Sequence, residues 1–338
     1  MFDHNQPEIN FALYAVHQAA LIVSQVQKEL ISPALTKDDR SPVTVADFAA
    51  QAVVARLLAH TFPLENLVAE ENAAALRQPK NSAILESVTH FVKRHDHQAT
   101  PERVCDWIDH NRVDSAEHFW TLDPIDGTKG FLRGEQYAVA LALVVGGQVQ
   151  VGVLGCPNLE DSYRPLVGGA GSLVVGVRGQ GAWTAPLFGN QAVMTSPDAL
   201  FKPLRVAQID RPGQARILRS VESGHTNLDQ IDRFAAAFGV TAAPLSMDSQ
   251  AKYAVLAAGQ GDLYLRLLSA DKPDYREKIW DQAAGSIIIE EAGGKVTDLH
   301  GHRLDFTTGR SLSNNRGILA SNSLLHPSAL AALRQIGA

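Results

Sequence analysis

The chain has 338 residues, of which 45% are hydrophobic and 20% are charged, and its formal net charge is −6. This composition is close to the average of globular proteins and far from that of disordered chains, and the length predicts two packed subdomains or one large layered domain. The negative charge argues against broad binding to a nucleic acid polymer or an anionic membrane, since both require a basic surface, but a small anion could still bind a local basic pocket.

The cysteines and the N-terminus bear on the cellular compartment. Cys105 and Cys156 are far apart and belong to no CxxC or His-rich motif. Residues 1–10 (MFDHNQPEIN) include acidic residues and no apolar run, which is typical of neither a secretory signal nor a transit peptide. The apolar stretches have the length of strands. We therefore expect a cytoplasmic protein without structural zinc or a membrane segment, and the sequence leaves its oligomeric state open.

The first predicted elements are two helices. Apolar residues at helical spacing predict one helix over 8–30, and the pattern resumes after Pro42 to predict a second helix to about residue 61. In that second helix, Thr44 is the candidate N-cap, and Asp47 stands three residues later in the capping-box position.

Strands predominate in the next part of the chain. A short strand at 67–69 is predicted before a polar segment with a helical patch over 82–94, and another strand runs from 118 into the sequence LDPIDGTKGF. Two apolar runs joined by Gly146 and Gly147 are typical of a hairpin, and further strands follow to about residue 185. These strands predict an antiparallel sheet packed on the two helices.

Beyond about residue 190, short apolar runs alternate with helical patterns, which predicts an α/β subdomain. The predicted strands are 204–209, 216–221 and 262–268, and the predicted helices are 228–238, 250–258 and 280–292. We place a boundary between an N-terminal α+β subdomain, 1–190, and a C-terminal α/β subdomain, 191–338.

The sequence LDPIDGTKGF (122–131) brings two carboxylates close together. Asp123 precedes a proline and is therefore biased to an extended backbone, while Gly127 allows a tight reversal after Asp126. The two carboxylates and the carbonyl of Ile125 would form an all-oxygen shell, which suits Mg²⁺ better than zinc. The alternative is an ordinary turn, because Asp-Pro and Asp-Gly pairs are common turn formers.

Carboxylates elsewhere could complete the same site. Glu70 and Glu71 follow a predicted strand, where adjacent side chains point in opposite directions, so we expect only one of them to reach the site. Asp281 stands where a helix is predicted to begin. The alternatives are a solvated glutamate pair and a helix cap, respectively.

Several motifs together carry a family resemblance. They are SPVTVADFAAQ, AEEN, LDPIDGTKGFLRGEQYAVALALVV, GCPN, DSQAKY, YLRL and EKIWDQAAGSIIIEEAGG. The sequence closely resembles the 3'(2'),5'-bisphosphate nucleotidases of the lithium-sensitive, Mg²⁺-dependent inositol monophosphatase superfamily. The resemblance implies a mixed α+β and α/β fold, the layered αβαβα sandwich of the inositol monophosphatase and fructose-1,6-bisphosphatase type, with its metal site between two halves.

The resemblance also implies roles for individual residues. The implied ligands of two or three Mg²⁺ ions are Glu70, Asp123, the Ile125 carbonyl, Asp126 and Asp281. Asp47 and Thr128 would orient and deprotonate the attacking water. The implied contacts to the nucleotide are Thr128, His225, Ser249, Lys252, Arg266 and Asp281. By resemblance, the N-terminal subdomain carries most metal ligands, and the C-terminal one carries Asp281 and the nucleotide pocket.

The implied nucleotide contacts have structural alternatives. His225 could belong to a loop, Ser249 could cap a helix, and Lys252 could lie on a solvated helix face. Arg266 lies in an apolar strand pattern, where a buried guanidinium needs a partner.

The implied activity is Mg²⁺-dependent hydrolysis of 3'-phosphoadenosine 5'-phosphate to AMP and phosphate, with the sulfated analogue PAPS as a second substrate and a setting in sulfur metabolism. The nearest alternative is an inositol polyphosphate 1-phosphatase or inositol monophosphatase, which would use the same metals on a cyclitol. A non-catalytic nucleotide sensor would be expected to lose Asp47 and Thr128, and both are present. A purely structural protein would leave converging carboxylates without compensation.

Overall fold

The computed structural model describes residues 2–3, 5–31, 41–110, 112–160, 164–167, 169–189, 200–221, 228–268 and 274–338. We number the elements within these ranges. The helices are α1 (Pro7–Leu30), α2 (Ser41–Thr61), α3 (Ser82–Lys93), α4 (Pro101–Ile108), α5 (Thr128–Arg133), α6 (Leu228–Phe238), α7 (Ala251–Ala257), α8 (Ala283–Glu291) and α9 (His326–Ile336).

The strands belong to three sheets. They are β1 (Asn66–Ala69), β2 (His118–Asp126), β3 (Ala138–Val145), β4 (Gln148–Cys156), β5 (Leu159–Glu160), β6 (Arg164–Val167), β7 (Ser172–Val177), β8 (Gly181–Pro186), β9 (Lys202–Leu204), β10 (Ile217–Arg219), β11 (Leu245–Ser246), β12 (Leu263–Arg266), β13 (Lys295–Thr297) and β14 (Ile318–Ser321). The first sheet has the order β1-β2-β3-β4-β7-β8-β9, the second β11-β10-β12-β14-β13, and β5 and β6 pair separately.

Three apolar cores join these elements into five layers. Helices α1 and α2 pack on one face of the seven-stranded sheet. The opposite face packs on α7 and α8, which also contact the five-stranded sheet. The outer face of that second sheet is covered by α6 and α9. The predicted αβαβα sandwich is therefore confirmed.

Alternating side chains along the strands explain why the first sheet can separate two cores. In β3, Val139 and Leu141 face α1 and α2, whereas Ala138, Ala140 and Ala142 face the middle helix layer. Successive residues of a strand point to opposite faces, so a strand with apolar residues at every position is buried on both sides. Burial of each large aliphatic side chain contributes about 1.5–3 kcal/mol.

Helix α8 approaches the first sheet closely because two strands carry glycine where it crosses. A Cβ atom at Gly152 would lie 2.4 Å from the Ile287 side chain, and one at Gly176 would lie 2.8 Å from the Ile288 backbone. No real Cβ contact is this short, so a side chain at either position would displace the helix. Because Gly152 and Gly176 have no side chains, α8 can lie close to the sheet, and this close packing fixes the position of the residues just before the helix.

Most predicted elements are confirmed, including both N-terminal helices, the hairpin at Gly146 and Gly147, and the alternation after residue 190. The predicted N-cap Thr44 is wrong, because α2 already begins at Ser41. The predicted strand 204–209 is also largely wrong, because its ladder ends at Leu204 in β9. Residues 205–209 find no adjacent strand among those described. The boundary near residue 190 stays a prediction, and β9 extends the first sheet beyond it.

Helix length and composition give weak evidence on the membrane. Residues Pro7–Leu30 and Val43–Thr61 are long and apolar enough to cross a bilayer, contrary to the strand-length estimate from the sequence. Their most apolar windows are 67% and 72% buried inside the protein, and core helices of soluble proteins pass the same test. The expected absence of a membrane segment stays a prediction.

Candidate active site

A cavity of about 320 Å³ lies where the first sheet, the middle helices and the second sheet meet. Most residues singled out from the sequence line it, namely Glu70, Asp123, Ile125, Asp126, Thr128, Ser249, Lys252, Arg266 and Asp281. Asp47 lies behind this wall, and His225 lies outside the described residues. The fold thus brings together residues that are more than 200 positions apart in the chain.

The DPIDG motif is part of an irregular strand end and not an ordinary turn, so the simpler interpretation is corrected. Strand β2 continues to Asp126, with a shift in its pairing to β3 between Asp123 and Asp126. The Asp123 Oδ1 accepts a hydrogen bond of 3.1 Å from the Ile125 amide. Gly127 has φ +88°, a conformation that favours glycine, and α5 begins directly after it. The bulge lets both aspartates reach the cavity.

The carboxylates of the cavity destabilise one another's charged forms. Burial raises the pKa of Asp123 well above its usual value, and the charges of Glu70, Asp126 and Asp281 raise it further. Burial also raises the pKa of Asp281, an effect that the nearby Arg266 opposes. Burial followed by the charges of Glu71 and Asp126 raises the pKa of Glu70 to about 7. Nearby cations balance only part of this negative charge, because the pKa values of Asp281 and Glu70 stay raised although Arg266 and Arg310, respectively, act to lower them.

Asp47 is a buried carboxylate in α2. It is 8% exposed, and its Oδ1 has no hydrogen-bond partner among the described residues. Burial, then Glu71 and Glu70, raise its pKa well above the usual value. Because α2 begins at Ser41, Asp47 lies in its second turn, and the capping interpretation is wrong. An unpaired buried carboxyl oxygen is costly and suggests a ligand or water beside it.

The donor set suits a hard divalent cation. Carboxylate oxygens and a backbone carbonyl are the ligands preferred by Mg²⁺ and Ca²⁺, and a bound cation would relieve the repulsion among the carboxylates. Within the described ranges, no three His, Cys, Asp or Glu side chains stand in an arrangement that would hold an ion without rearrangement. The cluster therefore fits a metal by its chemistry and charge, and side-chain rotation would have to complete the coordination.

The wall that adjoins the carboxylates carries cations. Arg266 Nε lies 2.9 Å from Glu277 Oε2, and its Nη2 lies 3.8 Å from Asp281 Oδ2. Lys252 is 3% exposed, so the solvated-face interpretation is wrong. Burial lowers the pKa of Lys252 to about 8, although the charges of Asp126 and Asp248 act in the opposite direction. The Lys252 ammonium donates a hydrogen bond of 3.2 Å to the Met247 carbonyl.

Ser249 combines a structural contact with a place in the cavity. It has φ +66°, and its Oγ accepts a hydrogen bond of 3.1 Å from the Ala251 amide at the start of α7. The capping interpretation is therefore compatible with its position in the cavity wall. Thr128 is exposed at the first position of α5 and lines the cavity.

Three polar residues beside the site were not identified from the sequence. Glu277, which is 2% exposed, pairs with Arg266 and accepts a hydrogen bond of 3.0 Å from Gln282 Nε2. Asp248 forms an ion pair with Arg133 of α5. Gln250 donates a backbone hydrogen bond of 2.6 Å to Asp126 Oδ2. Asp248 and Gln250 could have been identified only from their place in the sequence, because they flank Ser249 in the motif DSQAKY.

Comparisons with known proteins agree on the family. The model of the inositol monophosphatase family matches residues 4–338. A 3'(2'),5'-bisphosphate nucleotidase of Oryza sativa is 41% identical, covering 97% of this chain and 93% of the relative. 3'(2'),5'-Bisphosphate nucleotidase 1 of Candida albicans is 37% identical, covering 98% and 96%.

Solved structures support the fold alone, because their sequence identities are low. The inositol monophosphatase from Anabaena superposes with a TM-score of 0.59 at 21% identity, covering 98% of this chain and 97% of that one. CysQ from Bacteroides thetaiotaomicron, a bacterial member of the same family, has a TM-score of 0.61 at 18% identity, covering 95% and 98%.

Proposed function

The chain belongs to the inositol monophosphatase family, and we propose that it is a 3'(2'),5'-bisphosphate nucleotidase that releases the 3'-phosphate of 3'-phosphoadenosine 5'-phosphate to give AMP. Enzymes of this family are metal-dependent phosphatases. Close relatives that cover nearly the whole chain are named as bisphosphate nucleotidases, which favours this activity over an inositol phosphatase.

The observation that carries the proposal is the division of one cavity into two oppositely charged ends. Glu70, Asp123, Asp126 and Asp281 line one end, and Lys252 and Arg266 line the adjoining wall. A phosphate ester that carries two phosphates requires both a cation site for the phosphate that leaves and basic side chains for the phosphate that stays. This cavity offers both, with Arg266 Nη2 3.8 Å from Asp281 Oδ2.

We assign the carboxylate end to two or three Mg²⁺ ions, with the Ile125 carbonyl as an additional ligand. When bound, Mg²⁺ supplies charge neutralisation of the phosphate and a lower pKa of water. Asp47 and Thr128 are assigned to orienting the water and accepting its proton, and the Asp47 Oδ1, which has no hydrogen-bond partner among the described residues, supports this assignment. Water would attack the phosphorus directly as the bond from phosphorus to the ribose 3'-oxygen breaks, and AMP would leave with a proton on that oxygen, so no covalent phosphoenzyme is required.

The lining of the cavity supports a nucleotide over a cyclitol. Tyr264, Tyr275 and Trp280 are part of the wall. Tyr264 and Trp280 are 3% and 4% exposed and have cationic side chains over their rings. The partly exposed Tyr275 therefore offers the aromatic surface against which a purine base can stack, whereas an inositol ring has no π-face. We assign Lys252, Arg266 and Ser249 to the retained phosphate and the ribose, and propose His225 and PAPS as a further contact and a second substrate.

The proposed substrate bears on the cellular compartment in which the protein works. Adenosine bisphosphate is a small soluble metabolite, and the chain carries a net charge of −6, which disfavours anionic membranes. We therefore propose that the protein works in the cytoplasm, in sulfur metabolism.

Phosphate release from 3'-phosphoadenosine 5'-phosphate and from inositol 1,4-bisphosphate, each with and without Mg²⁺, tests the proposal. We expect Mg²⁺-dependent release with a higher kcat/KM for the nucleotide, and AMP as the nucleoside product. The variant Asp47→Asn should lose this activity while it retains the fold. Preference for the inositol ester would preserve the metal assignment and overturn the nucleotide assignment, and release that persists in EDTA would overturn the metal assignment.

A further inference from the structure

Gln250 is a buried, uncharged residue that connects three parts of the site. It is 2% exposed and immediately precedes α7. Its backbone amide donates to Asp126 at 2.6 Å. Its side-chain Nε2 donates to the Trp280 carbonyl at 2.9 Å, and its Oε1 accepts from the Gly285 amide at 3.1 Å. Both polar atoms of this side chain therefore have partners.

The two hydrogen bonds of the Gln250 side chain go to residues on either side of Asp281 in the sequence. Trp280 directly precedes Asp281, and Gly285 is the third residue of α8. The first amides of a helix have no partner within the helix, and Gln282, at the N-cap of α8, makes no side-chain capping bond. Gln250 supplies the missing acceptor from another element. It thereby fixes the orientation of the segment from which the Asp281 carboxylate projects.

The same residue acts on the other side of the site through its main chain. Asp126 belongs to the end of β2, in the first sheet, whereas Asp281 belongs to the segment leading into α8. The path from Asp126 through Gln250 to Trp280 and Gly285 consists of short hydrogen bonds in a buried environment. Bonds of this kind determine the separation of two ligand-bearing segments that come from distant parts of the chain.

We propose that Gln250 is a positioning residue for the metal site, which sets the spacing between Asp126 and Asp281 through the bonds of its side chain to Trp280 and Gly285. This inference rests on the proposed metal-dependent function of the cavity. It predicts that loss of the side-chain amide weakens metal binding even though no ligand atom is removed.

The test compares two buried amides with the same local role. Gln250→Met keeps the length of the side chain and removes both hydrogen bonds. The matched control is Asn322→Leu. Asn322 is 1% exposed, its Nδ2 donates to the Ile209 carbonyl at 2.8 Å, and its Oδ1 accepts from the Leu325 amide just before α9 at 3.1 Å. Asn322 does not line the cavity.

The main measurement is the affinity for Mn²⁺ alone, followed by the electron paramagnetic resonance signal of the free ion, with no substrate present. We expect Gln250→Met to bind Mn²⁺ about tenfold more weakly than the wild-type protein, and Asn322→Leu to bind like the wild-type protein. The Mg²⁺ concentration for half-maximal phosphate release should rise in parallel. If Gln250→Met does not fold, Gln250→Asn retains an uncharged amide but is one methylene shorter, so it breaks the bonds to Trp280 and Gly285, and the same weakening is expected.

Wild-type affinity in the Gln250 variants, or equal weakening in Asn322→Leu, would overturn the inference, because either result assigns the bonds to general stability. An absence of Mn²⁺ binding by the wild-type protein would overturn it together with the metal assignment. The two proposals can fail separately. A wild-type protein that binds Mn²⁺ but does not hydrolyse the nucleotide contradicts the proposed function alone, provided that the difference between the variants remains.

Discussion

The two ends of the cavity differ in how far the protein itself compensates their buried charges. At the carboxylate end, Asp123 is 2% exposed and its charged form is opposed by its neighbours. On the basic wall, the Arg266 side chain is 14% exposed, and Glu277 lies 2.9 Å away and balances its charge. One end therefore needs a partner from solution, whereas the other is largely compensated within the fold.

Both ends are proposed to bind ligands, but they differ in how far their charges destabilise the empty site. A charge that the protein leaves unbalanced lowers the stability of the empty site and is relieved by a ligand. A charge that the protein balances, such as that of Arg266, destabilises the empty site less, and its partner holds the side chain in position for a ligand. Substitutions at the two ends should accordingly have different effects on activity and on stability.

Asp123→Asn should give the largest effect. Loss of a proposed metal ligand is expected to reduce Mg²⁺-dependent phosphate release by more than about 100-fold, since even residues that only support ligands cost 10- to 100-fold. In EDTA the same variant should unfold at a higher temperature than the wild-type protein, because one member of a mutually repelling cluster has become neutral.

Activity assays and thermal unfolding in EDTA check both parts of this prediction. The control is Asp106→Asn, whose side chain is 75% exposed and which should change neither quantity. Retention of full Mg²⁺-dependent activity by Asp123→Asn would contradict the ligand assignment.

Glu277→Gln tests the compensated end. Removal of one partner of a buried ion pair typically costs about 3–5 kcal/mol of stability, because the other charge is left without balance. We expect a loss near the lower limit, since Asp281 still lies 3.8 Å from Arg266. Urea unfolding measures this loss in the free energy of unfolding.

The comparison for Glu277 is Glu290→Gln, which breaks a pair with Arg178 in which both side chains are 37% exposed. Exposed pairs contribute about 0–1 kcal/mol. Equal losses in the two variants would remove the distinction between a compensated buried pair and a surface pair.

The pH dependence of the metal-free protein gives a smaller effect. The pKa of Glu70 is raised from 4.5 to about 7, so the folded protein binds its proton more tightly than the unfolded chain. Stability from this group is present below pH 4.5 and is lost as the pH rises through 7. In EDTA, Glu70→Gln should therefore unfold like the wild-type protein at pH 4.5 and at a higher temperature at pH 7. A difference that shrinks with rising pH would contradict the sign.

Inhibition by Li⁺ is expected from the family resemblance, and it concerns the carboxylate end alone. Phosphate release measured over a Li⁺ series at fixed Mg²⁺ should fall, while Asn322→Leu, which leaves the cavity intact, should respond like the wild-type protein. A flat response to Li⁺ would contradict this expectation.

The sequence predicts much of the fold because the apolar patterns of its elements are long and regular. The helix over 8–30 and the hairpin at Gly146 are examples in which burial and turn chemistry act together. The wrong strand at 204–209 shows where such prediction fails. An apolar pattern indicates which side chains could be buried, but it does not show whether another strand lies alongside to form the hydrogen bonds. The start of α2 was missed because proline is itself favoured in the first turn of a helix, where its missing amide is not needed.

Motifs predict which carboxylates meet but not what holds them in place. Carboxylates at strand and helix ends are recognisable candidates for metal ligands, and this is how Asp123, Asp126 and Asp281 were identified. Gln250 and Glu277 were missed because their roles depend on partners 30 or more and 11 positions away, respectively, which become neighbours only in the folded chain. Pairing between distant positions cannot be read from local sequence periodicity.

The glycines beneath α8 imply that the mutational sensitivity of this site extends beyond its lining. Neither Gly152 nor Gly176 faces the cavity, yet a single methyl group at either position would collide with the helix that follows Asp281. Surveys of variants that inspect only residues near a bound nucleotide would classify both positions as remote. All three of the nearest atoms at Gly176, and two of the three at Gly152, belong to the helix backbone, so a smaller side chain on α8 would not relieve the collision and the helix itself would have to move.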